Sequence, residues 1–362
     1  KTNKLMTVYI VDIEAVETRY TAQWKKHLPK QIQKNTDCEV ITISGGETPQ
    51  ATTPGAFLNF GGTNVYKSKQ LEIIAEKFCK GEIKDGDYFL YTDAWNPTVI
   101  QLKYMAELLG VKIKVGGMWH AGSYDPADFL GRLIGNAKWV RLAEQSMFEC
   151  YDHNYFATDF HIEMWDEVFK NITHSMRHKD NKVVRTGWPM EYMHHELDAF
   201  QNMKKKDIIL FPHRIAPEKQ PEIFYDLKDA MPQYEFIVCQ EKQLKKHEYH
   251  NLLGEAKLVF SANLQETLGI SGFEGLLVDT IAMVPDRLSY TEMFHGIFRY
   301  PTHWTETKEG YKENKQFLIK KITEVMENYD SYQKLILKQK KILLDEFFTG
   351  DILYKTINES TI

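Results

Sequence analysis

Short apolar runs alternate along this chain with longer stretches in which apolar positions recur every three to four residues. The short runs read as strands: Thr7–Val11, Glu39–Ile43, Tyr88–Thr92, Lys112–Val115, Trp139–Leu142, Tyr155–Ala157, Lys182–Thr186, Asp207–Phe211, Glu235–Val238 and Lys257–Ser261. The longer stretches, such as Ser68–Phe78, Thr98–Leu109, Pro221–Ala230 and His247–Leu253, have helical spacing. Such alternation predicts an α/β fold of parallel sheets flanked by helices. The pattern halts at Trp188-Pro189-Met190, passes His194-His195 and Lys204-Lys205-Lys206, and restarts at Ile208. This divides the chain into a domain over 1–190, a linker over 191–206 and a second domain over 207–345, each Rossmann-like. From Glu313 to Phe348 the pattern is helical, with a break near Tyr329–Ser331; Phe317, Ile319, Ile322, Val325 and Met326 form its apolar face. The tail, 346–362, is expected to pack back on the first domain.

Composition narrows the class. Hydrophobic residues are 43% and charged residues 26% of 362, which excludes gross disorder. Lys and Arg number 45 against 50 Asp and Glu, a net charge of −5, so binding nucleic acid or membrane by bulk charge is disfavoured. Cys38, Cys79, Cys150 and Cys239 are scattered, with no CxxC pair, which fits a reducing compartment. No stretch approaches about 18 consecutive apolar residues. The opening, Lys1 to Met6, lacks the apolar core of a signal peptide, and a cytoplasmic location is expected.

Ligands of open parallel sheets bind beyond the carboxyl ends of the strands, so the loops after strands are where chemistry is expected. After Ile208–Phe211 comes Pro212-His213-Arg214-Ile-Ala-Pro-Glu218-Lys219, placing a planar guanidinium and a point cation together. After Leu258–Ser261 comes Gln265-Glu266-Thr-Leu-Gly269-Ile270-Ser271-Gly-Phe-Glu274. Gly269 marks a tight loop, and the helix expected over Ile270–Val278 presents N–H groups at its start, a natural anion site. Two cations facing that helix start suit a diphosphate.

The order Arg214…Lys219, then Glu266-x7-Glu274, each group after a strand, resembles the C-terminal domain of family 4-type retaining glycosyltransferases of the GT-B fold. The motif-bearing stretch runs from Phe211 to Pro285. The resemblance implies two Rossmann-like domains and transfer of a sugar from a nucleotide-sugar with retention of configuration. It implies that Arg214 and Lys219 hold the donor diphosphate, with Gly269, Ile270 and Ser271 beside it. Glu266 would contact the sugar hydroxyls and Glu274 the ribose. UDP is the nucleotide it favours, and Cys239-Gln240-Glu241 would face the base. His120, after the strand Lys112–Val115 and the glycines Gly116-Gly117, is the expected donor-side histidine.

The first domain departs from the family. Asp12-Ile-Glu14-Ala15 stands where many members have Gly-Gly; glycines occur instead in Ser44-Gly45-Gly46 and Phe60-Gly61-Gly62-Thr63. Asp93 and Trp95 are candidates for the acceptor side, with a helix cap as the competing role of Asp93. Asp85-Gly86-Asp87 mimics a metal motif but precedes a strand, as a turn does. The His194-His195 and His247/His250 pairs lack further ligands at metal spacing, so no metal or other cofactor is expected.

For the acceptor, the favoured expectation is a hydroxymethylated pyrimidine, 5-hydroxymethylcytosine, in phage DNA, which places the enzyme in the host cytoplasm. Lys67 and Lys69 beside Tyr66, and Arg132, Lys138 and Arg141, would line the DNA. The alternatives are a microbial glycan or small-molecule acceptor, and a non-catalytic GT-B binding module.

Overall fold

The computed structural model describes residues 5–15, 20–48, 51, 58–169 and 182–360. Residues 1–4 of the opening segment lie outside them. The chain forms two compact units, one built from the chain up to Pro189 plus the segment from Gly350 onward, the other from Met190–Thr349.

The first unit holds a six-stranded parallel sheet: β1 (Thr7–Val11), β2 (Glu39–Ile43), β3 (Tyr88–Tyr91), β4 (Lys114–Trp119), β5 (His153–Phe156) and β6 (Val183–Arg185), in the order β2-β1-β3-β4-β5-β6. Strands β1 and β3 are buried on both faces, which is why they read as unbroken apolar runs rather than alternating ones. The helices Phe60–Cys79, Thr98–Leu109 and Lys138–Cys150 are connections between parallel strands.

Three local expectations change here, and the turn expected at Asp85-Gly86-Asp87 is found. Trp139–Leu142, expected as a strand, lies in the helix Lys138–Cys150. The helical period wins because Val140, Glu144, Met147 and Phe148 turn inward together, while Trp139 and Leu142 stay 59% and 52% exposed. Gly116 and Gly117 lie inside β4 rather than in a loop after it. A Cβ on Gly116 would stand 2.1 Å from Tyr88 Oη, so the strand passes there only without a side chain. The segment Phe60-Gly61-Gly62-Thr63 opens the helix Phe60–Cys79, with Asn59 capping Gly62 N–H at 2.8 Å. Asp85-Gly86-Asp87 is a turn before β3: Lys112 N–H donates to Asp85 at 2.8 Å, and Lys84 and Thr7 N–H donate to Asp87 at 2.8 and 3.1 Å.

The second unit holds a five-stranded sheet: β7 (Ile208–Phe211), β8 (Glu235–Val238), β9 (Leu258–Phe260), β10 (Ile281–Pro285) and β11 (Arg299–Tyr300), in the order β11-β10-β9-β7-β8, every pairing parallel. β10 and β11 are not among the strands read from the sequence; β11, of two residues, makes no run to read. The helical tail is segmented: Lys308–Glu327, a tight turn over Tyr329–Tyr332, then Gln333–Ile342 and a wider turn to Phe347. The break is where Tyr329 turns in to donate to Asp279 O at 2.5 Å. Phe317, expected on the apolar face, is 58% exposed and stacks on Trp304. The last helix, Asp351–Glu359, belongs to the first unit, where Gln31 donates to Tyr354 Oη at 2.7 Å and Asp37 N–H to Asn358 at 3.3 Å.

Candidate functional site

In the second sheet, β7 has β8 on one side and β9 on the other. The loops leaving β7 and β9 therefore diverge, and a crevice opens at this reversal of strand order. The candidate residues are on these two loops. They are bound to each other by main-chain and side-chain bonds: Leu264 N–H donates to Glu218 O at 2.7 Å, and Gln220, with φ +50°, donates to Ala262 O and Thr305 O at 2.7 Å each.

Lys219 ends a short turn, Pro217–Lys219, that aims its side chain at the second loop. Its Nζ donates to Gln265 O at 2.8 Å and lies 3.3 Å from Glu266 Oε2. The same oxygen accepts from Asn263 Nδ2 at 3.1 Å. Burial pushes the Glu266 carboxyl upward, but Lys219, His213 and the Gly269 N–H outweigh it and hold the group below the usual carboxylate range. His213 is buried, donates from Nε2 to Phe260 O at 3.0 Å, and is pushed down to about 4 by burial and by Lys219. Its imidazole is neutral at pH 7, with Nδ1 left as an acceptor.

Gly269 starts the helix Ile270–Leu277 with φ +66°, and a Cβ there would meet Tyr290 Cε1 at 2.9 Å. Gly272 N–H already reaches Gly269 O at 3.1 Å, so the N–H groups of Ile270 and Ser271 form the first turn ahead of the helical ladder. A carboxylate, a lysine and a helix start thus converge on one crevice. Arg214 stands apart from that contact, donating to Glu218 Oε1 at 2.9 Å; its side chain is 40% exposed. Glu274 is one turn into the helix, 3.5 Å from His250 Nε2. Cys239–Lys242 forms a turn after β8, and Gln240 Oε1 accepts from Ile215 N–H at 2.5 Å.

Several residues that hold this site were not legible in the sequence. Arg287 donates to Asn263 O at 2.8 Å, Ala262 O at 2.9 Å and Thr302 O at 3.0 Å. Tyr290 Oη bonds Ser261 Oγ and Asn263 Nδ2, both at 3.1 Å. Neither residue is part of a local motif; their place follows from β10 lying beside β9. His213 adjoins Arg214 in sequence, its one visible signal.

In the first unit, order reverses between β1 and β3. His120, just past β4, engages both ring nitrogens: Nε2 donates to Thr92 O at 2.6 Å and Nδ1 accepts from Tyr20 Oη at 2.5 Å. Tyr20, Trp24 and Trp188 surround the ring. Asp93 accepts from Trp95 N–H at 3.0 Å, while Asn96 serves the helix start at Thr98. Trp95 Nε1 donates at 3.0 Å to Glu144 Oε1, which also accepts from Ser123 N–H at 2.7 Å. Glu144 is fully buried and joins the loops after β3 and β4. In the loop after β1, Asp12 and Glu14 are buried and bonded to Tyr66 and Thr63 on the helix Phe60–Cys79. Asp198 lies beside both His194 and His195, adding a third group that the sequence spacing had not suggested.

Burial is the largest influence on Asp128, which is pushed up to about 7 despite accepting from Leu130 N–H at 3.1 Å. Its raised folded value means the native state binds the proton more tightly than the unfolded chain does. Its contribution is therefore most favourable near pH 4 and is lost as pH rises to about 7. Asp128→Asn should gain stability relative to wild type across that interval, by up to about 1.4 kcal/mol per pH unit, and level off above it. Melting temperatures of both proteins from pH 4 to 8 check this; a constant difference would contradict it.

No protein-family model matches the sequence, and no curated protein matches it. Solved structures do. A UDP-forming α,α-trehalose-phosphate synthase from Burkholderia xenovorans matches with TM-score 0.59 at 10% identity, over 99% of this chain and 100% of that one. The catalytic domain of starch synthase IV from Arabidopsis thaliana, bound to ADP and acarbose, matches with TM-score 0.59 at 10% identity, over 99% of each chain. The pneumococcal O-GlcNAc transferase GtfA, in complex with UDP and GlcNAc, matches with TM-score 0.52 at 12% identity, over 81% of this chain. This chain spans 60% of the length of the GtfA chain. These likenesses establish the GT-B fold. Among the described residues, no helix is long and apolar enough to cross a membrane.

Proposed function

We propose that this chain is a retaining glycosyltransferase that takes a sugar from a nucleotide-sugar and passes it to a hydroxyl of a glycan or small molecule. The observation that carries the reading is the Lys219–Glu266 pair, 3.3 Å apart, on the two diverging loops and just ahead of the helix Ile270–Leu277. A departing diphosphate needs fixed positive charge and N–H donors; Lys219, Arg214 and the N–H groups of Ile270 and Ser271 provide both. Arg214 would exchange Glu218 for phosphate. Glu266, kept ionised, accepts hydrogen bonds from sugar hydroxyls, and Glu274 accepts from the ribose. The anomeric carbon passes through an oxocarbenium-like state, and the leaving phosphate takes the acceptor proton on the same face.

The acceptor reading moves away from modified DNA. Solved structures of the same fold are named for trehalose-phosphate and starch synthesis, and a net charge of −5 is ill suited to a polyanion. UDP is the favoured nucleotide, since the trehalose-phosphate synthase is UDP-forming and GtfA was crystallised with UDP.

The test is incubation with UDP-, GDP- and ADP-sugars and a panel of saccharides, with hydroxymethylcytosine DNA included. NMR of the product is expected to show a new glycosidic bond with the donor's anomeric configuration. An inverted anomer would overturn the mechanism. Transfer to the DNA alone would overturn the acceptor reading, and nucleotide binding without turnover would overturn the enzymatic one.

A further inference from the structure

We propose that His194, His195 and Asp198 form a binding site for one divalent cation of the zinc class, independent of the sugar-transfer site. His194 Nδ1 lies 3.4 Å from Asp198 Oδ1, and His195 Nδ1 lies 3.7 Å from Asp198 Oδ2. One ligand atom from each of the three residues falls within 4.8 Å of the others. A tetrahedral zinc with ligands at about 2.1 Å separates neighbouring ligand atoms by about 3.4 Å. Each carboxylate–imidazole separation is thus close to the edge of such a shell; because the two reach different oxygens of Asp198, the side chains must rotate to close round one ion.

The local fold explains how the set arises. His194 and His195 are on the short helix Tyr192–Glu196, and Asp198 opens the turn Asp198–Phe200. Asp198 is therefore four residues after one histidine and three after the other, the two spacings that face each other on a helical turn. The local backbone thus sets each histidine beside the carboxylate without a long-range contact, although the adjacent histidines leave the helix in different directions.

The donor set selects the ion. Two imidazoles and one carboxylate suit zinc, copper(II) or nickel(II), whereas magnesium and calcium prefer six or more oxygens. Three protein ligands leave a fourth position for water on the solvent side, where the side chains of His195 and Asp198 are 86% and 53% exposed. The consequence is structural: an isolated helix of this length is marginal, and the ion would fasten it to the turn that follows. In the chain these are the first turns after Pro189, where the second unit begins.

The competing account is a pair of histidine–aspartate contacts on a solvated turn, and calorimetry of the full chain with zinc chloride separates the two. One zinc per chain is expected to bind, with affinity at least about tenfold lower in both His195→Ala and Asp198→Asn. Magnesium chloride should give no competing heat, and cobalt(II) should give the intense visible absorption of a four-coordinate site, lost in both variants. Both substitutions are at exposed positions, so folding is preserved. Absence of zinc binding by the wild type, or binding unchanged in either variant, would overturn the proposal.

Discussion

Lys219→Ala is expected to lower turnover by about two to three orders of magnitude, the range seen when one preorganised donor to a developing anion is removed. The lysine side chain is only 12% exposed and is held by Gln265 O at 2.8 Å. It is therefore fixed before substrate arrives, and its charge acts in a partly dehydrated crevice. Its removal has a second effect: the half-buried carboxyl of Glu266 loses its strongest counter-charge while the burial that pushes it upward remains. The acid limb of the activity profile should move to higher pH in the variant. Stability carries the same sign. A carboxyl with a depressed folded value stabilises the protein at neutral pH, and this benefit fades as pH falls through that value. Without Lys219 the fade begins at higher pH. Steady-state kinetics across pH 4–8, with melting curves on the same samples, test both statements. Turnover within about threefold of wild type, less than the loss of one such donor, would remove Lys219 from the chemistry.

Gly116→Ala is expected to destabilise the first unit before it affects any ligand. The added methyl would lie 2.1 Å from Tyr88 Oη and 2.6 Å from Tyr155 Cε2. Those two phenols bond to each other at 2.6 Å, and Tyr88 Oη also lies 3.0 Å from His153 Nδ1. All three side chains are buried, so relieving the clash breaks hydrogen bonds that water cannot replace. Overpacking and the lost bonds together cost about 3 kcal/mol or more. For a unit of this size the melting transition should fall by about 10 °C. Calorimetry is the measurement, because it resolves whether the transition of the second unit stays in place. The double variant Gly116→Ala/Tyr88→Phe removes the clashing oxygen and should recover part of the loss; a single variant that melts like wild type would show that β4 has room at this point.

The main outline of the molecule, apart from Trp139–Leu142 and the strands β10 and β11, was legible in sequence because its causes are local. Strands buried on both faces leave continuous apolar runs, and connecting helices leave a longer period, so the two-sheet architecture could be anticipated from Thr7 to Ser261. The carboxylate and cation candidates of the second unit were legible for the same reason. Lys219, Glu266 and Gly269 each follow a strand, and the structure brings these three into contact.

What was missed depends on neighbours far apart in the chain. Whether Trp139–Leu142 is strand or helix turned on which side chains find the core, and Val140 and Met147 find it together only as a helix. Gly116 and Gly117 resembled a loop because nothing local reveals the phenol rings pressed against them. Arg287, Tyr290 and His250 enter the second unit's site from separate elements. Their roles exist because β9 and β10 add on one side of β7 and β8 on the other. Sequence by itself determined the alternation of elements and which loops carry charge, since both follow from short-range pattern. Tertiary structure alone decided that His213 is neutral, that Glu266 stays ionised and that Arg287 braces the loop between them, since burial and charge proximity are set by strand order and not by spacing along the chain.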